Sequence, residues 1–246
     1  MRRIRSTIFL LISLAASGMG SLNGLTIAGS DLLGAGVAEA IKGELGQRGV
    51  DSSIQFNGSL SAREDYRNGT ADACIIAVPD GTEPGIDGMV YQAAFQAVAF
   101  AVHSTNPLSD LNYAQLTELF QDGGNLDGWA SLLEDIAWQD RKISFWASRS
   151  DKAITLEIFN AVVLDGKPLK RSLGYKPANV EQLLRTVEED ASTLLITPVI
   201  ETSASVRLLP IKRSANEQAY TPSSDNVFYG DYPLRLPFVL VVKESV

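Results

Sequence analysis

Two residue types that carry much of protein chemistry are nearly missing from this 246-residue chain, which has one cysteine and one histidine. A single cysteine, Cys74, allows no internal disulfide, so stability must come from buried apolar surface. Metal sites draw on grouped His, Cys, Asp or Glu, and one His with one Cys cannot make a zinc set. His103 stands alone beside a turn, and no G-x-S-x-G elbow presents a serine for a Ser-His-Asp arrangement. Acidic runs such as Glu188-Glu189-Asp190 read as solvated helix surface, and no carboxylate pair stands out for hydrolysis. The expectation is therefore a protein that is not an enzyme, with no catalytic residue, no metal and no cofactor. Long apolar runs are also absent: no segment beyond the N-terminal region approaches the roughly 20 residues of a transmembrane helix. Positive charge is scarce as well, with 21 Lys+Arg against 29 Asp+Glu and a net charge of −8. Nucleic acid is bound through clustered Lys and Arg, so it is not an expected partner. A small anion remains open, because local backbone N–H groups and one Arg can hold it.

The N-terminus has the order of a secretory signal. Arg2, Arg3 and Arg5 form a basic start, Thr7 to Ala16 a short apolar run, and Ser17 to Ser21 a set of small residues. Residues 1–22 are expected to be removed on export, and no cysteine stands there to carry a lipid. Residues 1–23 hold three Arg and no acid, so their loss would leave 18 basic against 29 acidic residues. The roughly 220 residues that remain suit one large domain or two lobes of about 100 each.

Short strand-like runs alternate with helical stretches. Leu25–Gly29 reads as a strand, Leu32–Leu45 as a helix with Leu33, Val37, Ile41 and Leu45 at helical spacing, and Ser53–Phe56 as a second strand. Ser61–Asn68 reads as a short helix closed by Gly69, and Ala73–Val78 as a buried strand that makes Cys74 a small core residue. This βαβ pattern favours a parallel sheet with helices on its faces. Residues 80–88 form a loop, Met89–Val102 a strand or strand pair, and Asn112–Phe120 an amphipathic helix. Further on, Lys142–Ala147 and Thr193–Thr197 read as strands, and Thr155–Val163 and Val180–Asp190 as helices. Val206–Ile211 and Leu236–Val242 are strands with a long polar excursion between them. Trp129, Trp138 and Trp146 are expected in the core of the second half.

Three times a turn of small residues follows a strand and opens a helix: Ala28-Gly29-Ser30-Asp31-Leu32, Asn57-Gly58-Ser59-Leu60-Ser61, and the stretch from Ala147 to Thr155 that contains Arg149. Each puts hydroxyls and N–H groups at the positive end of a helix and at the carboxyl end of a strand, where open α/β sheets bind ligands. Any one of these serines is also an ordinary N-cap. Three such turns together, one with an Arg, point to a small oxyanion.

At these positions the chain resembles the phosphate-binding periplasmic proteins of ABC transporters, a branch of the type II solute-binding fold. The likeness covers nearly all of the chain beyond the signal. It runs through Ile27-Ala28-Gly29-Ser30, Gly58-Ser59, and Gly69-Thr70-Ala71-Asp72. The most specific stretch is Val102-His103-Ser104-Thr105-Asn106-Pro107, continued by Leu111, Gln115-Leu116, Leu119-Phe120 and Trp129. Arg149, Thr155 and Phe159 follow at the spacing of the family's R-x-x-G-S-G-T-x-x-x-F, and Tyr232-Pro233-Leu234-Arg235-Leu236-Pro237 at that of Y-P-x-x-R-P. The resemblance implies an α/β, two-lobed fold of the type II periplasmic-binding-protein kind, each lobe a mixed, mostly parallel sheet flanked by helices. Lobe I would be residues 23–101 with 198–246, and lobe II residues 102–197. It also implies a monomer in the periplasm that captures a small oxyanion, phosphate first, between the lobes for an ABC permease or a sensor. Ser30, Asp31, Leu32, Ser59, Arg149 and Thr155 take the positions of the ligand contacts.

Three departures are visible. The Ser-Gly of the third turn is Ala153-Ile154, and a β-branched residue cannot easily take a glycine-only conformation, which reshapes the anion cradle there. The end of the third strand, Ser or Asp in the family, falls near Ala77 and Val78, and Asp31 carries a negative charge toward the anion. They frame an alternative: a degenerate relative with an interaction or structural role in the envelope and no phosphate binding.

Overall fold

The structure is a computed structural model that describes residues 24–149, 155–177 and 179–243. The expected signal peptide and residues 150–154 of the third turn lie outside the described residues. In chain order the elements are β1 (Leu25–Gly29), α1 (Ala35–Gln47), β2 (Ser52–Phe56), α2 (Ser59–Arg67), β3 (Ala73–Ala77) and β4 (Met89–His103). Next come β5 (Leu111–Asn112), α3 (Tyr113–Phe120), β6 (Ser144–Arg149), α4 (Thr155–Phe159), β7 (Gly174–Pro177) and α5 (Val180–Glu189). The chain closes with β8 (Thr193–Pro198), β9 (Val206–Leu208), β10 (Ile211–Lys212), α6 (Ser224–Tyr229) and β11 (Arg235–Val242). They form two compact units, the first running to Gln96 and resuming at Leu236, the second spanning Ala97–Arg235.

The first unit is built on the order β2-β1-β3-β11-β4. β2, β1 and β3 are mutually parallel, and β11 runs antiparallel to β3. The parallel strands follow from the βαβ connections, since a helix must return the chain before each new strand. Apolar residues on one face close a core of Ala28, Ala62, Tyr66, Cys74, Ile76, Val239 and Val241. The helix expected over Leu32–Leu45 is in two pieces. Asp31–Leu33 is a single 3-10 turn, and Gly34 breaks the run at φ 76° before α1 begins. An ordinary L-residue rarely takes that φ, so Gly34 is where the chain can change direction.

The second unit has the order β4-β8-β6-β7, with β9 beside β4 and a separate β5-β10 pair. β8, β6 and β7 are parallel, whereas β4 runs antiparallel to β8 and β9. Leu183 and Val187 of α5 pack with Ala101, Leu195 and Val206 on one face of this sheet. Phe120 meets Phe100, Phe145 and Phe159 at ring-centroid distances of 5.3–5.5 Å, the tilted and edge-on geometry that aromatic quadrupoles favour. Trp129 and Trp138 are buried edge to face, and Trp146 is half-buried beside the α5 cluster. The fold is thus α/β, with mixed, mostly parallel sheets flanked by helices.

Residues 97–101 and 198–235, expected in the first lobe from sequence, fall by contact in the second unit. β9 pairs with the second half of β4, Ala101 opposite Leu208, and the Tyr232 hydroxyl donates to the Val98 carbonyl at 2.7 Å. β4 is one strand of 15 residues.

Candidate functional site

In the first unit the carboxyl ends of β1, β2 and β3 lie side by side. Gly29 pairs with Phe56 on one side and with Ile75 on the other. Glycine makes room for the Phe56 ring there, since a Cβ would sit 2.4 Å from it and the ring would have to shift. The chain then turns: Ser30 N–H donates to the Ile75 carbonyl at 2.8 Å, and the Gly58 N–H donates to the Gly29 carbonyl at 3.2 Å. The first two predicted turns are thereby brought to one edge. Gly58, at φ 120°, is the N-cap of α2, and it has no side chain to cap that nine-residue helix. The positive end of α2 therefore opens at this edge without a side-chain acceptor of its own cap.

Four of the predicted residues meet here. Ser30 is fully buried, and its Oγ accepts the Leu32 N–H at 3.3 Å. Asp31 is exposed, and its Oδ1 accepts the same N–H at 3.1 Å. A Cβ on Gly58 would lie 3.8 Å from that Oδ1, so the carboxylate spans the two turns. Ser59 Oγ accepts the Ala77 N–H at 3.0 Å and ties α2 to the end of β3. Both serine oxygens act as acceptors here, and each O–H is a further donor. The Leu32 N–H is thus shared by the Ser30 hydroxyl and the Asp31 carboxylate.

Two residues that sequence reasoning missed hold this edge. Gln96 Nε2 donates to the Leu32 carbonyl at 2.6 Å, which fixes the first turn from β4. Arg63, one turn into α2, donates through Nε to the Pro84 carbonyl at 2.9 Å and through Nη2 to the Ala77 carbonyl at 3.3 Å. The visible signal was a pair of glutamines, Gln92 and Gln96, inside the otherwise apolar run of β4. Cys74 lies beneath α2. Burial pushes its thiol up to about 12, against a smaller opposing pull from Arg63. It is a core residue and not a nucleophile.

In the second unit Arg149 is the last residue of β6, and its side chain lies outside the described part of the structure. Thr155 opens α4 and is buried. The carboxyl ends of β6 and β8 also carry Ser148 and Thr197, 1% and 0% exposed, whose hydroxyls have no hydrogen-bond partner. His103 is occupied by its own turn: Nδ1 accepts the Thr105 N–H at 3.2 Å and lies 2.8 Å from Thr105 Oγ1. Among the described residues no group of three His, Cys, Asp or Glu could hold a metal ion, and no helix is long and apolar enough to cross a membrane.

A family model described as a PBP superfamily domain matches residues 15–245. No protein with a curated description matches the chain. Among solved structures, a possible phosphate binding protein from Planctomyces limnophilus is similar at 16% identity, covering 89% of this chain and 81% of its own, with a TM-score of 0.71. PstS from Borrelia burgdorferi is similar at 12% identity, over 89% of this chain and 87% of its own, with a TM-score of 0.68. An ABC-type phosphate transport receptor from Vibrio cholerae reaches 19% identity, with the same two coverages and a TM-score of 0.63. At these identities the likeness is one of fold.

Proposed function

Because the chain belongs to the PBP superfamily, we propose that it is an exported solute-binding protein that captures a small oxyanion, phosphate first, and delivers it to an ABC permease or a sensor. The observation that carries this reading is the edge of the first unit, where Ser30, Ser59 and the uncapped start of α2 converge on the ends of three parallel strands. Two hydroxyl donors and a positive helix end are what an oxyanion needs in place of its water shell. The phosphate-linked proteins of Planctomyces, Borrelia and Vibrio that share the fold support the same choice of ligand. Arg149 is the proposed charged clamp, and Thr155 a further hydroxyl contact. Asp31 suits an oxyanion that still carries a proton, because a carboxylate can accept from an OH and repels a bare oxygen. The role is binding without catalysis, in the periplasm, by a monomer.

A thermal-shift screen tests the reading, since a ligand that binds only the native state raises stability by RT ln(1 + [L]/Kd). Phosphate or a related oxyanion should raise Tm, and Arg149→Ala should abolish most of that rise. A flat response to phosphate, sulfate and their relatives would favour the second reading, a PBP-like envelope protein with an interaction role. That reading draws on the sequence of the third turn, where Ala153-Ile154 stand at the positions of Ser-Gly in the family it resembles.

A further inference from the structure

The second unit carries a polar group that the six predicted contacts do not include. Ser148 and Thr197 are buried at 1% and 0% exposure, and neither hydroxyl has a hydrogen-bond partner. Buried hydroxyls are normally paired, because leaving one dry and unpaired costs its hydration with nothing in return. The two stand on neighbouring strands. β6 and β8 are parallel, with Trp146 opposite Leu195 and Ala147 opposite Ile196. Ser148 and Thr197 each come one residue later, at the carboxyl ends of neighbouring strands. Side chains alternate along a strand, so both lie on the face of Trp146 and Leu195, the face that α5 covers.

A cation shares that face. Lys176 pairs with Ser148 across β6 and β7, and its ammonium lies 4.4 Å from the Trp146 ring centroid. The aromatic face holds the ammonium near the sheet by a cation–π contact. Two unpaired buried hydroxyls and a held ammonium at the carboxyl ends of three parallel strands are a donor set without its acceptor. The first unit offers hydroxyls but sets the Asp31 carboxylate among them.

We propose that Ser148 and Thr197, with Lys176, form an oxyanion-binding donor set of the second unit, apart from the third turn. The inference rests on the oxyanion reading above. Each hydroxyl donates to one anion oxygen, and Lys176 balances the charge from the same sheet face.

The test is calorimetric titration of inorganic phosphate into the mature protein and four variants, with ligand-free melting of each. Ser148→Ala and Thr197→Val should each bind phosphate about tenfold more weakly, the loss of one charge-assisted hydrogen bond. Lys176→Gln should weaken binding and flatten its salt dependence. Thr197→Ser keeps the hydroxyl and should bind like the parent. The ligand-free melting temperatures of Ser148→Ala and Thr197→Val should stay level or rise, because the hydroxyls removed had no partner to lose. Unchanged phosphate affinity in both variants, with the parent binding, would overturn this inference and leave the oxyanion reading standing. A fall in ligand-free melting temperature at parental affinity would make the hydroxyls structural and overturn it as well. A parent that binds no phosphate overturns the inference and the reading together.

Discussion

Replacing Ser59 by alanine separates two jobs assigned to one hydroxyl. Its oxygen accepts the Ala77 N–H at 3.0 Å, and its O–H is the proposed donor to an oxyanion. In Ser59→Ala the amide at the end of β3 loses that partner. A partly buried donor left without one costs about 1–2 kcal/mol. For a chain of this size, about 2–4 °C of melting temperature accompanies each kcal/mol, so Tm should fall by about 2–8 °C. The second loss appears only with ligand. A hydrogen bond to a charged acceptor contributes about 1.5–3 kcal/mol, so oxyanion affinity should fall about 10- to 150-fold. Ser59→Thr keeps the hydroxyl and should retain most of both quantities. Melting without ligand and titration with phosphate read the two losses independently. A variant that melts early yet binds like the parent would refute Ser59 as a ligand contact. One that changes neither would refute the geometry of this edge.

Other outcomes follow from neighbouring residues. Gly29→Ala places a Cβ 2.4 Å from the Phe56 ring and should destabilise by about 1–3 kcal/mol, with partial recovery in the double variant carrying Phe56→Leu; urea melts read both. Asp31→Asn removes a negative charge from the edge. Two charges 4 Å apart interact by about 1 kcal/mol even in water, so fully ionised oxyanions such as sulfate should gain about fivefold or more in affinity by titration. Cys74 should resist thiol reagents in the native protein at neutral pH. Its folded pKa stands at about 12 against an ordinary value of 9.0, so the unfolded chain releases the proton first as pH rises. The stability it contributes is complete below pH 9.0 and is lost as pH climbs toward 12; Cys74→Ala should flatten that part of the alkaline fall in denaturant melts.

How much of this was legible in the sequence depended on the reach of the interaction. β1, β2 and β3 are runs of apolar residues bounded by glycine and polar turns, so their periodicity and punctuation were local signals. β7 was missed because Gly174-Tyr175-Lys176-Pro177 has no apolar alternation, and α6 because its aromatics, Phe228 and Tyr229, are exposed and trace no core face. The 3-10 turn at Asp31–Leu33 depends on the single conformation of Gly34, which helical spacing alone does not register. Site legibility divides in the same way. Ser30 and Ser59 could be read because a Gly-Ser turn before a helix is a local pattern. Gln96 could not, since its bond to the Leu32 carbonyl joins positions 64 residues apart. Nor could the orphaned state of Ser148 and Thr197, because an unpaired hydroxyl is a property of packing.

Capture of a small oxyanion, the function proposed for this chain, is read out by calorimetry on the purified protein lacking residues 1–22. Inorganic phosphate, or a close relative, should give a saturable heat with one site per chain at neutral pH, weakened by Ser59→Ala and by Arg149→Ala. No heat from phosphate, sulfate or related oxyanions at millimolar ligand would contradict it.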